Sequence, residues 1–319
     1  MNNTSTPVPI IVVGSANQDY IVRVAVPPGP GETVLGRSLL KQPGGKGANQ
    51  AVAAARLRGD VHFVAAVGDD GDGAFLLREL RSEGVDTSNV EIINRGRTGL
   101  ALVWVYDSGE NSITVIPGSN FTLTAERVGR TVTRLTRAAG GAVMVVQGEL
   151  LPEVITAALV AADSAGARGI LNLAPYQPLP NEILALCDPL VVNEIEASAL
   201  VGWGVRDVPT AARAADQLRR VARSVVITIG AEGAYWADAT SAGHVAAPIA
   251  TNVVDTTGAG DAFVGALASF IAKGESLSRA VEVGVLAGSF AVKSPGAQSS
   301  YPTLADLDLY TIARSNGPL

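Results

Sequence analysis

The sequence predicts an α/β fold, with a mainly parallel sheet covered by helices on both faces and a small antiparallel sheet beside it. Three observations predict it. Short, continuously apolar runs recur along the chain, the first being Val8–Gly14 (VPIIVVG), and strands without polar alternation belong in a sheet buried on both faces. Segments with helical spacing separate these runs, which is the pattern of strand–helix–strand units. Two stretches, 19–42 and 98–117, break that rhythm.

Val8–Gly14 ends in glycine and reads as the first buried strand. The stretch 19–42 carries IVRVAVPPGPGETV and no helical period. Ala48–Leu57 places small and apolar residues at helical spacing, Val61–Val67 is strand-like, and Gly73–Glu83 is an amphipathic helix. Residues 98–117 read as two strands, LALVWVY and SITVI, joined by the turn DSGEN. Both irregular stretches are expected to be antiparallel excursions. The alternation resumes with strand Ala142–Gln147, helix Pro152–Gly166, and strands Ile170–Leu173 and Leu190–Val192. Helices Glu194–Val201 and Ala211–Ala222 and strand Val225–Ile229 follow. Two long helices, Gly260–Lys273 and Leu277–Val292, close the pattern. Residues 1–7 and 316–319 are expected to fray. The chain shows no internal repeat, low-complexity tract or charge block.

Composition narrows the function classes. A chain of 319 residues, 47% hydrophobic and 17% charged, is globular and long enough to bury a large core without staples. One cysteine, Cys187, excludes an intrachain disulfide and a thiolate metal cluster, and suits a reducing compartment. His62, His244 and Cys187 lie too far apart for a zinc motif. A net charge of −6 and a pI near 5.1 argue against a nucleic-acid partner. Mean hydropathy is +0.28, yet no apolar run approaches ~18 residues, so no membrane span is expected. MNNTSTPVP has no basic residue before its apolar stretch and does not read as a secretory signal. The expectation is a cytoplasmic enzyme with an excess of glycine, 35 residues in all.

Three common nucleotide and hydrolase motifs fail. Gly45-Lys46-Gly47 has glycine where a phosphate-binding P-loop needs Ser or Thr. The series starting at Gly258-Ala259-Gly260 meets Phe263 where a dinucleotide fold needs its third glycine. No GxSxG nucleophile elbow exists. The strongest constellation is instead Asp255-Thr256-Thr257-Gly258-Ala259-Gly260-Asp261, which opens a long helix. Two glycines at a helix start let bare backbone N–H groups approach an anion, and the helix dipole adds about half a positive charge. Asp261 then falls in the first turn, against the same spot. A carboxylate beside an anion nest repels the anion, and a reason for it is to accept the proton of a hydroxyl attacking phosphorus. The plainer reading is a tight turn followed by a favourable first-turn charge.

Other segments add to it. Gly44-Gly45-Lys46-Gly47-Ala48-Asn49-Gln50 is a second glycine-rich helix entry, and Asn49 can donate and accept at once. Gly14-Ser15-Ala16-Asn17-Gln18-Asp19 leaves the carboxyl end of the first strand, the edge where open α/β sheets bind ligands. There Asn17 and Asp19 suit paired sugar hydroxyls, or form an Asx turn. Asn193-Glu194-Ile195-Glu196 also follows a strand, and taken alone it is an N-cap with first-turn acids. Thr228-Ile229-Gly230-Ala231-Glu232-Gly233 is a further strand exit into a glycine turn.

Together GSANQD, PGGKGANQAVAAA, NEIE, TIGAEG, DTTGAGDAF and GAQSSYP resemble the PfkB family of carbohydrate kinases over nearly the whole chain, and GGKGANQA with GSANQD is most similar to its ribokinase branch. The resemblance implies a three-layer α/β/α sandwich with a β-sheet lid. Residues 1–16, 43–97 and 119–319 would form the core, and 17–42 and 98–118 the lid, through which a homodimer would form. It implies transfer of the ATP γ-phosphoryl group to the 5-hydroxyl of D-ribose, with Asp261 as general base and Gly258, Ala259 and Gly260 as the anion hole. Asn17, Asp19, Gly45, Lys46, Gly47, Ala48, Asn49 and Glu149 would bind the sugar. Asn193, the segment Thr228, Ile229, Gly230, Ala231, Glu232 and Gly233, together with Gly260 and Val285, would face the nucleotide. Glu196 would organise Mg²⁺ through water. K⁺ would sit among Asp255, Thr257, Ala291, Ser294, Gly296 and Ser300, several of them through carbonyls. Deoxyribose, fructose or a nucleoside as substrate, or a sugar-binding relative without turnover, stay open alternatives.

Overall fold

The computed structural model describes residues 7–108, 110–248 and 252–315. The elements in chain order begin with β1 (Ile10–Val13), β2 (Asn17–Val24), β3 (Ser38–Gly44), α1 (Lys46–Arg56), β4 (Val61–Val64), β5 (Ala66–Gly68) and α2 (Gly71–Ser82). There follow β6 (Glu91–Ile93), β7 (Gly99–Tyr106), β8 (Asn111–Ile116), α3 (Ala125–Ala139), β9 (Val143–Gln147), α4 (Pro152–Ala165), β10 (Arg168–Asn172) and α5 (Asn181–Leu184). The remainder is β11 (Cys187–Asn193), α6 (Glu194–Val201), α7 (Val208–Leu218), β12 (Val225–Thr228), β13 (Ala234–Ala237), β14 (Ala242–Val245), α8 (Ala259–Ala272), α9 (Leu277–Ala291) and α10 (Leu304–Ser315).

The main sheet has eight strands in the order β14-β13-β12-β11-β10-β9-β1-β4. Its β4 to β12 part is wholly parallel, and β13 and β14 extend it as an antiparallel hairpin. Successive residues of β1 point to opposite faces and all four are buried: Ile10 and Val12 pack into one core, Ile11 and Val13 into the other. The first core takes α1, α8 and α9, and the second takes α3, α4, α6 and α7. This is the sandwich expected from the apolar strand runs.

A second sheet, β3-β2-β7-β8, stands apart from the first. It departs from expectation in one respect: β2 and β7 pair parallel, from Asn17↔Gly99 to Val24↔Tyr106, while each pairs antiparallel with its own hairpin partner. Both strands start at the same edge of the sandwich, so they must run outward together. The strand expected at Val61–Val67 is broken: β4 stays in the main sheet and β5 pairs with β6. Several elements carry little local signal in the sequence, among them α3, β13 and α10. In α3 the buried stripe is only Val128, Val132 and Thr136. In β13 the strand is the short AYWA. For α10 the sign was the start, where Thr303 and Asp306 bond each other's backbone N–H. The predicted fraying of the termini, Pro7 apart, and Gly109 of the DSGEN turn lie outside the described residues. Among the described residues, no helix is long and apolar enough to cross a membrane.

Candidate active site

The parallel strands end at one edge, and four of them end in a polar residue: Gln147 on β9, Asn172 on β10, Asn193 on β11 and Thr228 on β12. The registers Asn172↔Gln147 and Asn193↔Thr228 set them side by side. The start of α1 meets the same edge. Gly47 packs so closely on Gly14 that a Cβ added to either would lie 2.5 Å from the other's Cα. Only glycines permit that approach. Gly45, the N-cap of α1, supplies no side chain, and Glu149 takes its place. The Glu149 carboxylate accepts from the Lys46 backbone N–H at 3.0 Å and from the Ser15 hydroxyl, while the Ala48 N–H donates to the Ser15 carbonyl at 2.9 Å. A carboxylate there is favoured by the helix dipole.

Asp261 lies in the first turn of α8 and is only 5% exposed. Its Oδ2 accepts from Asn49 Nδ2 at 3.0 Å and its Oδ1 from Gln50 Nε2 at 2.9 Å. Asn49 Oδ1 in turn accepts from Gln298 Nε2 at 3.0 Å. Hydrogen bonds to a charged group contribute about 1.5–3 kcal/mol each, enough to hold one carboxylate in a buried place. The turn before it is set by Gly258, at φ 76°, where a Cβ would also strike the Tyr301 hydroxyl and Ala297. No side chain caps α8. A Cβ on Gly260 would meet nothing within 4 Å among the described residues, so that face is open to an incoming group.

On the other side, Asp19 projects from β2 with its Oδ2 against the Cα of Gly44 and its Oδ1 buried without a hydrogen-bond partner among the described residues. Burial first, then the charges of Glu149 and Asp261, push its carboxyl up to about 7. A buried, unpaired acceptor beside two other acids is suited to a ligand hydroxyl. Asn17 is 3% exposed, and its Oδ1 accepts from Asn120 Nδ2 at 2.8 Å, while Asn120 Oδ1 accepts from the Ala16 N–H.

A cleft of about 250 Å³ opens above the strand ends, with Lys46, Gly258, Gly260 and Asp261 on one wall and Asn193, Glu196 and Thr228 on the other. The charge of Asp261, with Glu149 and Glu196 behind it, raises the Lys46 ammonium above its usual value against the opposing effect of burial. Asn193 is the N-cap of α6, its Oδ1 accepting from the Ile195 and Glu196 N–H groups at 2.9 Å. Glu196 closes that capping box by accepting from the Asn193 N–H at 2.8 Å. Burial raises the Glu196 carboxyl above its ordinary range, partly offset by that N–H and by Lys46.

The structure separates the other predicted nucleotide residues. Thr228 lines the cleft, Ile229 is buried, and Gly230, Ala231 and Gly233 form the turn after β12. The Glu232 carboxylate turns away to accept from the Val208 N–H at 3.2 Å. Val285 is buried within α9 and does not line the cleft. Behind the anion nest, Asp255 accepts from the Gly296 N–H at 2.8 Å and the Thr257 N–H at 2.9 Å. Burial acts to raise its carboxyl, and these N–H groups outweigh it and hold it below the usual range. The bonds draw the 255–257 turn onto the loop after α9, where the Ala291 carbonyl accepts from Ser294 and Ser300 is 2% exposed. That donor set is oxygen only and suits a hard cation. Among the described residues, no cluster of His, Cys, Asp and Glu could hold a metal by itself.

Sequence reasoning missed Gln50, Gln147, Asn172, Gln298, Ser15 and Asn120. Their partners lie about a hundred or more residues away in the chain, so no local spacing marks them; only the NQ after GGKGA carried a hint.

The model of the family described as pfkB family carbohydrate kinase matches residues 9–304. A Staphylococcus aureus relative named Ribokinase is 35% identical over 302 residues, covering 94% of this chain and 98% of its own. A Salmonella typhi relative named Deoxyribokinase is 34% identical over 310 residues, covering 94% and 98%. The Arabidopsis thaliana ribokinase structure, described as complexed with ribose and ATP, matches with a TM-score of 0.87 at 29% identity, covering 95% of this chain and 98% of that one.

Proposed function

The chain belongs to the pfkB family of carbohydrate kinases, and from that premise we propose that it transfers the γ-phosphoryl group of ATP to the 5-hydroxyl of D-ribose, with Asp261 as the general base. The observation that carries this reading is the placement of Asp261: buried, held on both oxygens, and one turn from an uncapped helix start that opens on the cleft. The names of the relatives and the ribose-bound neighbour support the substrate.

In this mechanism the γ-phosphate rests against the backbone at Gly258, Ala259 and Gly260, where the helix start favours the charge that spreads over its oxygens. Lys46, lining the same cleft, balances that charge. The sugar lies between Asp19 and Asp261, its secondary hydroxyls donating to the unpaired Oδ1 of Asp19. Asn17, Asn49 and Glu149, with the backbone at Gly45, Gly47 and Ala48, complete the sugar side. Asp261 takes the proton of the 5-hydroxyl as the oxygen attacks phosphorus, and ADP leaves. Mg²⁺ would be held through water by Glu196, 7% exposed on the cleft wall, and K⁺ by the oxygen set around Asp255. Both supply fixed positive charge beside the phosphates when bound.

The β3-β2-β7-β8 sheet is read as a lid that excludes water on closing. Its exposed Leu39, Leu40, Ile113 and Val115 support a homodimer through that surface. ATP as co-substrate supports a cytoplasmic location. The test is ADP release over ribose, 2-deoxyribose, fructose, adenosine and uridine. Ribose should give the highest kcat/KM. Deoxyribose is the second reading, favoured by the Salmonella typhi relative. No release with any pentose would overturn both.

A further inference from the structure

The carboxylate of Asp261 is the end of a longer buried chain of side-chain amides. Gln50 is 1% exposed and Gln147 is 0% exposed. Gln50 uses both N–H bonds of its amide, one to Asp261 Oδ1 and one to Asn172 Oδ1, each at 2.9 Å. Its Oε1 accepts from Gln147 Nε2, also at 2.9 Å. The Asn172 amide is itself fixed, donating to the Val191 carbonyl at 3.3 Å.

The direction of this chain follows from the donor inventory. An ionised carboxylate only accepts, so Gln50 must show it an N–H. The Gln50 oxygen then faces away and needs a donor, which Gln147 supplies. That leaves Gln147 Oε1 buried and without a partner among the described residues, pressed where a Cβ on Gly14 would come within 2.2 Å. A buried acceptor left unpaired is unfavourable, and an apolar side chain at 147 would remove it. It would also strip the buried Gln50 oxygen of its donor, so one unpaired acceptor is exchanged for another and stability gives little reason for Gln147. Orientation does: Asp261 and Asn172 decide which end of the Gln50 amide faces them, and the Gln147 N–H anchors its other end, so without that donor the amide shifts and its aim on Asp261 loosens.

We propose that Gln50 and Gln147 are positioning residues for the phosphoryl-transfer step, with Gln147 anchoring the Gln50 amide and Gln50 aiming the Asp261 carboxylate into the cleft. The proposal rests on Asp261 being the base. Neither glutamine borders the cleft, so substrate binding and turnover separate cleanly.

Gln147→Met, Gln147→His and Gln50→Leu are compared with wild type and with Asp261→Asn, by steady-state kinetics and thermal unfolding. Gln147→Met should lower kcat about 10- to 100-fold, the size of effect expected from a misplaced reacting group. KM for ribose and for ATP should stay unchanged, and Tm should change little. Gln147→His keeps one N–H donor and should recover most of the lost kcat. Gln50→Leu should lose more than Gln147→Met, and if it does not fold, the two variants at 147 carry the test. Wild-type kcat in Gln147→Met, or a loss shared equally by Gln147→His, overturns the proposal. So does a rise in both KM values with a fall in Tm, which is a packing defect. If Asp261→Asn itself turns over at the wild-type rate, the base assignment fails instead, and the positioning role falls with it.

Discussion

Sugar affinity should depend on pH through Asp19. Its carboxyl is pushed up to about 7 by burial and by the nearby Glu149 and Asp261 charges. Sugar hydroxyls donate to the ionised form, so binding must release a proton. The affinity then scales with the ionised fraction of the free protein, about 0.1 at pH 6 and about 0.9 at pH 8 for a carboxyl titrating at about 7. The dissociation constant for ribose should therefore fall about tenfold between those pH values, equivalent to about 1.4 kcal/mol. The sign for folding is opposite. The folded state holds this proton more tightly than the unfolded chain, whose value is 3.8. The ligand-free protein therefore loses stability as pH rises from near 4 to near 7, by at most roughly 4 kcal/mol from this group, and the loss levels off above 7. Calorimetric titration of ribose without ATP reads the affinity directly. Asp19→Asn should bind more weakly at pH 8 and lose the slope. A flat wild-type profile, or the same slope in Asp19→Asn, refutes the reasoning.

Asp261→Asn should lower kcat by at least about 10², the usual contribution of a general base, while calorimetric ribose binding survives. Gly260→Ala should leave Tm unchanged, since the added Cβ meets nothing within 4 Å, and should lower kcat/KM for ATP about tenfold by standing where the phosphate rests. Gly258→Ala should instead lose roughly 1–3 kcal/mol in denaturant unfolding, because φ 76° and the contacts with Tyr301 and Ala297 both oppose it. Replacing K⁺ with Na⁺ or Li⁺ should lower kcat if the Asp255 oxygen set holds the activating cation, and equal rates in all three salts would remove it from the mechanism.

Much of the fold was legible because the strands are apolar throughout. A run such as Ile10–Val13, buried on both faces, has no other stable reading. The helix α3 was harder to read because Thr and Arg make up seven of its 15 residues and only a narrow stripe is buried. The site divides in the same way. Gly258, Gly260 and Asp261 act through local backbone geometry, which leaves a mark in consecutive residues. Gln147 and Asn172 meet through the register of separate strands and Gln50 reaches them from α1, and residues 97 or 122 positions apart leave no mark in spacing. Asn193 taken alone was read as a helix N-cap, and the structure shows that cap. Asn17 was read as a ligand contact or an Asx turn, and in the structure its Oδ1 accepts from Asn120, a partner too distant in the chain to leave a mark in spacing.

The parallel pairing of β2 with β7 has a mechanical consequence. Both strands are rooted at one place, the Asn17↔Gly99 pair, fastened there to the sandwich by Asn120. The sheet is thus shaped as a lever with its pivot at the end that carries Asp19. At ~3.3 Å per residue, Val24 lies about 23 Å from the pivot and Asp19 about 7 Å. A swing of about 10° would carry the far end roughly 4 Å and Asp19 only about 1 Å, by the same strand dimensions. Large travel at the rim is geared down to fine travel at the carboxylate. A partner gripping the outer strands would shift Asp19 by about a quarter of the rim's travel without touching it.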